Sequence, residues 1–207
     1  MTTEPSHPGL DWSSWYDLAP SGGDLGTLPT GAGLYRVRHP EFEHRVYIGE
    51  TGRSLRERVR ALARGTYADE MPYRDPHTAA PCLWAIRDRD GPDFEVSVAT
   101  PDHAQRKTAR KGLEAALIAL HRRNYGTSPV ANFGRIIPGY DQSGYSSDGH
   151  VGGRLPDDES EPNNKSGVGP LDWIDWTNPL AESWLGLEWS APEPLAEAYQ
   201  QIPKRPG

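Results

Sequence analysis

The stretch GLYRVRHPEFEHRVYIGETGRSLRERV, residues 33–59, decides the fold. Its first seven residues alternate apolar and polar side chains, and residues 45–49 repeat this alternation after a polar link. A period of two is typical of a strand with one buried face. Two such runs in succession predict a β-hairpin with a longer loop.

A helix is predicted directly after the hairpin. Ser54 is a good N-cap, and Glu57 follows three residues later, which is the pattern of a capping box. Leu55, Val59 and Leu62 recur at helical spacing and form one apolar stripe. The capping box and the stripe together predict an amphipathic helix that packs on the hairpin.

The arginines of this helix fall into two groups. At about 100° per residue, Arg56, Arg60 and Arg64 point away from the apolar stripe, whereas Arg58 lies on its shoulder. Three of the four are therefore expected at the surface, and Arg58 is expected to be directed partly inward.

The next part of the chain predicts a compact mixed fold. We expect a short helix over 79–88, a third strand over 94–99, a long helix over 102–124 with the stripe Leu113, Leu117 and Leu120, and an irregular segment or short strand over 128–137. The fold class is α/β, of the α+β kind, with a small three-stranded antiparallel or mixed sheet flanked by helices. This domain is expected to span residues 31–138.

The remaining segments differ from the domain in composition. Residues 1–30 form an N-terminal extension rich in Gly, Pro, Ser and Trp, and residues 139–170 are dense in Gly, Ser, Asp, Asn and Pro, which predicts a flexible linker. Residues 171–207 form an acidic C-terminal segment that holds four of the seven tryptophans.

A short motif recurs in these end segments. It reads GLDWS at 9–13, PLDW at 170–173 and GLEWS at 186–190. Three interpretations are open: a Trp-anchored segment that covers a sheet edge or an apolar patch, a tail for a protein partner or self-association, and the remnant or beginning of a second copy of the domain.

Composition excludes several classes of protein. No apolar run approaches the roughly 20 residues of a membrane span, so we expect no membrane partner. Residues 1–21 show no secretory signal, and a cytoplasmic location is therefore expected. The single cysteine, Cys82, excludes an intramolecular disulfide framework and a Cys-based structural zinc site.

Charge is distributed unevenly along the chain. The formal net charge is −7, but residues 31–140 carry 18 Lys and Arg against 13 Asp and Glu. Solvated surface charge would explain a modest excess of this kind. A basic middle between acidic ends is also the electrostatic pattern of a protein that binds a polyanion.

Two tyrosines stand in Gly-framed tripeptides, Gly33-Leu34-Tyr35 and Tyr47-Ile48-Gly49. Each tyrosine alone could be a packing residue, but the pair resembles the GIY-YIG nuclease family, in which the two tripeptides lie on adjacent strands. The resemblance covers about half of the chain. It implies five catalytic residues in order: Tyr35, Tyr47, Arg58, Glu114 and Asn132.

The resemblance implies a metal-dependent endonuclease that hydrolyses phosphodiester bonds of double-stranded DNA. It implies one Mg²⁺ or Mn²⁺ per site, held by Glu114, which is the only charged residue between Lys111 and Arg122. Arg58 would hold the phosphate oxygens, with Tyr35 as base and Tyr47 as its partner, although these two roles could be exchanged. A local ion pair for Glu114 and a turn role for Asn132 are the structural alternatives.

The sequence leaves two functional questions open. A restriction or defence enzyme is favoured over a DNA-repair nuclease, since no repair domain is recognisable, and a catalytically inactive module that binds nucleic acid or protein is the alternative from another class. Many relatives carry His or Tyr one turn after the arginine, where this chain has Leu62, so Tyr67 or His77 would have to fill that place from a loop. The residues expected to contact DNA are Arg36, Arg38, Arg53, Arg56, Arg60 and His77.

Overall fold

The structure is a computed structural model, and it describes residues 10–22, 24–40, 45–72, 75, 77–91, 93–125, 128–134, 136–137, 139–142 and 152–155. The strands are β1 (Tyr16–Asp17), β2 (Gly33–Arg38), β3 (Arg45–Thr51), β4 (Glu95–Ala99), β5 (Tyr140–Asp141) and β6 (Gly153–Arg154). The helices are α1 (Leu55–Thr66), α2 (Ala80–Asp90) and α3 (Lys107–Tyr125). The mixed α/β class predicted from the sequence is confirmed.

Within the described residues, the main sheet has four antiparallel strands in the order β1-β4-β2-β3. This is one strand more than the three predicted, because the N-terminal extension runs along the edge of β4. Ser13 N–H donates to the Val98 carbonyl and Leu18 N–H donates to the Phe94 carbonyl, both at 2.8 Å. The two-residue strand β1 is too short to be recognised by alternation.

One face of the sheet packs against α1 and α2. The stripe predicted for α1 is confirmed, since Leu55, Val59 and Leu62 are fully buried. The Ser54 side chain accepts a hydrogen bond from the Glu57 N–H at 3.2 Å, so the predicted N-cap is also present. Strand β2 directs its odd-numbered side chains, including the ring of Tyr35, to this face.

The opposite face packs against α3 and the N-terminal extension. Leu34 and Ile48 contact Leu113 and Leu117 of α3, and Leu10 joins the same apolar cluster. The long helix begins five residues later than predicted, because Arg106 is extended (φ −82°, ψ 125°) and separates a short 3₁₀ turn from α3.

The segment after α3 is irregular. Of the two possibilities predicted for 128–137, an irregular segment or a short strand, the structure shows the first. It contains a 3₁₀ turn over Asn132–Gly134, followed by the small antiparallel pair β5 and β6. Packing therefore continues into the predicted linker. Tyr140 is buried and its hydroxyl donates to Asp88 Oδ2 at 2.7 Å. The rest of that linker and the C-terminal segment 171–207 lie outside the described residues.

In the described part of the chain, no helix is both long and apolar enough to cross a bilayer.

Candidate active site

The two tyrosines of the Gly-framed tripeptides lie side by side on β2 and β3. Tyr35 is paired with Gly49 across the hairpin, and its ring centroid is 5.7 Å from that of Tyr47. A Cβ atom on Gly49 would lie 2.6 Å from the Tyr47 ring and 2.8 Å from the Tyr35 ring. Glycine at 49 is therefore required so that both rings can occupy the space above it. A Cβ atom on Gly33 would likewise collide with the Ala99 carbonyl.

His77 completes this aromatic group from the loop before α2. Its Nε2 atom lies 2.6 Å from the Tyr35 hydroxyl, and its ring contacts the Tyr47 ring edge-on with a centroid distance of 5.4 Å. The loop is held by a hydrogen bond of 2.6 Å from the His77 N–H to Asp75 Oδ1. Tyr67 and His77 were the two loop residues that could replace the His or Tyr which relatives carry at the position of Leu62. The structure brings His77 to the tyrosines, whereas Tyr67 hydrogen-bonds to Asp93 and Phe94.

The protonation state of His77 follows from its surroundings. Burial and the charge of Arg58 lower the pKa of His77 to about 3, so the ring is neutral at physiological pH. The Ala79 N–H points to Nδ1 at 3.4 Å, which leaves the ring proton on Nε2. His77 is therefore a donor to the Tyr35 oxygen.

Arg58 stands beside the tyrosines on the inward shoulder of α1, where the helical periodicity placed it. Its side chain is half-buried, and its charge together with a hydrogen bond lowers the pKa of Tyr35. The same charge lowers the pKa of Tyr47 and of His77. One arginine thus acts on all three rings.

The two tyrosines differ in acidity. Burial raises the pKa of Tyr35 to about 12, and hydrogen bonds from Arg58 and Tyr47 act in the opposite direction. The pKa of Tyr47 is raised well above 10 because burial and the nearby Tyr35 and Glu114 all disfavour its ionised form. Tyr35 is the one whose oxygen receives donors, so its phenolate is the better stabilised of the two.

Glu114 reaches the same group from α3. Burial, followed by the charge of Glu50, raises the pKa of Glu114 to about 7, while Lys111 and the Glu50 backbone act to lower it. The charge of Glu114 in turn raises the pKa of both Tyr35 and Tyr47. We call the set Tyr35, Tyr47, Arg58, His77 and Glu114 the tyrosine cluster.

Two residues next to Glu114 were missed by the sequence analysis. Arg110 is buried, and its Nε donates to the carboxylate of Glu50 while one terminal nitrogen donates to the Ala104 carbonyl at 2.8 Å. Glu50 directly follows the second tripeptide, and Arg110 precedes Glu114 by four residues on the same face of α3. Those two spacings are the signals that could have pointed to them.

Asn132 has a different place from the other predicted site residues. Its side-chain amide accepts from the Ile48 N–H at 3.1 Å and donates to the Ile48 carbonyl at 2.7 Å. Because β3 is an edge strand, the backbone N–H and C=O groups of Ile48 and Glu50 point outward from the sheet. The side chain of Asn132 hydrogen-bonds to the backbone of Ile48, and the side chain of Glu114 hydrogen-bonds to the backbone of Glu50. Asn132 thus fixes the position of the second tripeptide.

The predicted DNA-contact residues divide into engaged and exposed side chains. Arg36 lies between two indoles, 4.3 Å from the Trp12 ring and 4.7 Å from the Trp15 ring. Arg38 and Arg45 also stack on Trp15, at 4.2 and 4.9 Å. We call this set, Trp12, Trp15, Arg36, Arg38 and Arg45, the indole cluster.

Four of the six predicted contacts are therefore engaged with other parts of the fold, two of them buried (Arg36 and His77) and two half-buried (Arg38 and Arg56). Besides Arg36, Arg38 pairs with Glu95 at 2.7 Å, and Arg56 donates to the Leu28 carbonyl at 2.8 Å. His77 is fully buried in the tyrosine cluster. The sequence did not predict these intramolecular contacts, because periodicity shows which side of an element a residue takes, but not what covers that side. Arg53 and Arg60 are exposed, as expected.

The donor set at Glu114 suits a hard divalent cation. No group of three or more His, Cys, Asp or Glu residues gathers within the described part of the chain. Mg²⁺ needs no such cage, since it commonly uses one or two carboxylates together with water and substrate phosphate. Glu114 and the Tyr47 hydroxyl offer oxygen atoms, whereas Glu50 is already paired with Arg110. The residues present therefore fit one divalent ion held by Glu114.

Comparison with known proteins adds no relative to this geometry: no family model, no curated protein and no solved structure matches the chain.

Proposed function

We propose that this protein is a divalent-metal-dependent endonuclease that hydrolyses DNA phosphodiester bonds with GIY-YIG-type chemistry. The observation that carries the proposal is the convergence on one phenol oxygen. His77, Arg58 and Tyr47 all direct hydrogen bonds to the hydroxyl of Tyr35. At a pKa of about 12 the resting side chain is the phenol, and the three donors favour its phenolate relative to that of a buried tyrosine without them. A phenolate beside an arginine is a base placed where an anionic substrate would bind.

Tyr35 is the general base in this mechanism. In its phenolate form it removes the proton from the attacking water and becomes the neutral phenol, and the three donors stabilise the phenolate before this transfer. His77 is a positioning residue: it is neutral, it does not take the proton, and its Nε2–H fixes the direction of the Tyr35 lone pair. Tyr47 donates to Tyr35 and stays protonated because its own pKa is raised further.

Arg58 would bind the phosphate, and Glu114 would hold the cation beside it. The planar guanidinium of Arg58 has a fork of donors that matches two non-bridging phosphate oxygens, so it neutralises the charge that builds up in the transition state. Glu114 would hold the cation. When bound there, a divalent ion supplies positive charge for the departing alkoxide.

DNA would be held by the exposed basic side chains around this site. Arg53 lies in the loop between β3 and α1, Arg60 is on the outer side of α1, and Lys111 is on α3 close enough to lower the pKa of Glu114. All three are exposed, which leaves their charges available to backbone phosphates.

A plasmid-nicking assay tests the function. Supercoiled DNA is incubated with the purified chain in Mg²⁺, in Mn²⁺ and in EDTA, next to the Tyr35→Phe variant. We expect nicked and linear products with either metal, and none with EDTA or with Tyr35→Phe. DNA that is bound but never cut under any of these conditions would instead indicate a binding module.

A further inference from the structure

The N-terminal copy of the recurring motif packs on the sheet. We call the segment that begins with it, residues 9–33, the clasp. Leu10 is buried in the cluster formed by Leu34, Ile48 and α3. Trp12 stacks on Arg36. Ser13 makes three hydrogen bonds to β4: its N–H donates to the Val98 carbonyl, its hydroxyl accepts from the Val98 N–H at 3.0 Å, and its carbonyl accepts from the Ser97 hydroxyl at 2.9 Å.

The clasp continues to the beginning of β2 through a few further anchors. Leu18 and Leu28 are fully buried on the α1 side of the sheet, and Ala19 is buried. Gly33 ends the segment where a Cβ atom would collide with the Ala99 carbonyl. The segment 9–33 thus holds the sheet through a small set of positions separated by exposed ones.

Residues 186–207 repeat this set of anchors, with three residues fewer between the leucine and the apolar residue that precedes the proline. GLEWS at 186–190 is followed by Leu195-Ala196, then by Ile202-Pro203 and by Gly207. In both segments the leucine stands six residues after the tryptophan, and the final glycine stands four residues after the proline. The likeness therefore extends well beyond the five-residue motif.

Over the first eleven residues, none of the positions that differ between the two segments is buried in the first one. The two segments differ there at Asp11, Ser14, Trp15, Tyr16 and Asp17, all of which are exposed or half-exposed. Trp15 has the largest role among them, and proline replaces it in the second segment. The second segment therefore keeps the sheet anchors and drops the stack on Arg38 and Arg45.

One proline of the second segment agrees with strand pairing. Leu18 N–H donates to the Phe94 carbonyl and Asp17 is the partner of Glu95, so by the alternation of an antiparallel strand the N–H of Asp17 points away from β4. Pro194 occupies this place, and proline, which has no N–H to donate, is tolerated at an outward position of an edge strand. Pro192 falls at Trp15, which precedes β1.

We propose that residues 186–207 are a second sheet-docking segment, which occupies the β4 edge and the α3-side surface of a sheet with this same architecture. The edge of the described sheet is already filled by residues 13–18, and one edge accepts one strand. The partner is therefore another sheet of this kind with a bare β4 edge. The proposal does not depend on nuclease activity, because it concerns folding and docking alone.

A segment exchange in the full chain tests the proposal. Residues 9–19 are replaced by the sequence of 186–196, which introduces Asp11→Glu, Ser14→Ala, Trp15→Pro, Tyr16→Glu and Asp17→Pro. Because the exchange removes the Trp15 stack, the reference is the Trp15→Ala variant of the same chain. We expect a cooperative thermal transition within about 5 °C of that reference.

The matched control carries the same exchange with Trp12→Ala and Leu18→Ala, which remove two anchors common to both segments. We expect its transition to lie at least about 10 °C below that of the exchanged chain. A second exchange, of residues 9–32 for 186–206, extends the test to the Ile202-Pro203 anchor and should behave like the first. The proposal is overturned when both exchanged chains melt no higher than the control, since the second segment then lacks the docking ability of the first.

Discussion

The tyrosine cluster and the indole cluster lie back to back on the same strand. Tyr35 projects from β2 to one face of the sheet, and Arg36, the next residue, projects to the other. Both clusters contain buried or half-buried arginine beside aromatic rings. In the indole cluster the arginines stack on indoles at 4.2–4.9 Å, an arrangement in which neither partner gains or loses a proton near neutral pH.

The tyrosine cluster differs because its aromatic groups can transfer protons. Two phenols, an imidazole and a carboxylate meet there, and the pKa of each is moved from its ordinary value by burial and by its neighbours. The comparison teaches that a buried arginine on aromatic rings is not by itself a sign of a site. Convergence of several groups that exchange protons is the more specific sign.

The largest effect should come from Glu114→Gln. The change keeps the shape and an acceptor oxygen but removes the charge that would hold the cation, so cleavage should fall by roughly 10³-fold or more while DNA binding stays close to that of the parent. Single-turnover cleavage and a gel-shift titration measure the two properties. Glu70→Gln, at an exposed position, is the control and should be silent. Cleavage retained within a few-fold would remove Glu114 from the site.

Arg58→Lys should have the next largest effect. Lysine keeps the charge but loses the bidentate fork, which should lower the single-turnover rate by about 10²-fold. Arg60→Lys, on the exposed side of the same helix, should cost less than about tenfold, and mainly in binding. Arg56→Lys should lower stability by about 1 kcal/mol instead, because its Nε bonds to the Leu28 carbonyl. Equal rate losses at all three positions would contradict the assignment of Arg58.

Salt should separate the exposed arginines from the stacked ones. With three or four basic side chains on phosphates, DNA affinity should fall by about 40–150-fold between 50 and 200 mM salt. Arg53→Ala should reduce the logarithmic slope by about one, because that side chain is exposed. Arg36→Gln should leave the slope unchanged, since Arg36 is held between two indoles. A flat salt response of the parent chain would exclude a DNA-backbone role.

The cleavage rate should rise with pH. Tyr35 acts as base in its phenolate form, and its pKa is about 12, so below that value the phenolate fraction grows with pH. With saturating Mg²⁺, and above the pKa of about 7 for Glu114, the rate should rise roughly tenfold per unit from about pH 7.5 to 9. Tyr47→Phe should keep this slope, whereas any residual activity of Tyr35→Phe should lack it. If Tyr47→Phe lost the pH dependence instead, Tyr47 would be the general base and Tyr35 its hydrogen-bond partner.

The smallest effect on activity should come from the indole cluster. Trp15→Ala removes the ring on which Arg36, Arg38 and Arg45 stack, and should lower the free energy of unfolding by about 2 kcal/mol. The single-turnover rate, measured well below the melting temperature, should not change. Chemical denaturation gives the first quantity. A rate loss larger than about threefold would mean that the two clusters are coupled through β2.

Much of the fold could be predicted from local pattern. Alternation located β2 and β3, the N-cap and the stripe located α1, and the same periodicity turned Arg58 inward. Strand β1 could not be predicted, because two residues carry no period and their pairing depends on hydrogen bonds to β4 made across the chain. The beginning of α3 was misplaced because one extended residue, Arg106, interrupts an otherwise helical pattern.

The candidate site was predicted in its residue types but not in its contacts. Two roles were considered for His77: a contact to DNA, and replacement of the His or Tyr that relatives carry at the position of Leu62. The residues next to His77 in the sequence do not distinguish between these roles. The decision depends on the Asp75 bond that turns the loop inward and on burial, both of which come from tertiary packing. The ion pair of Glu50 with Arg110 joins residues 60 positions apart, so no local pattern contains it.

The side chains on the outer edge of β3 also affect how copies of the protein meet. An edge strand with bare N–H and C=O groups is a template for pairing with another chain. Here the amide of Asn132 covers Ile48, the Ala131 N–H donates to the Val46 carbonyl at 2.9 Å, and Glu114 covers Glu50. Asn132→Ala would uncover the strand and open a route to aggregation, whereas Glu114→Gln keeps an acceptor there. Glu114→Gln should therefore abolish cleavage without exposing the β3 edge to pairing with another copy. This makes Glu114→Gln the suitable inactive variant for work at high concentration.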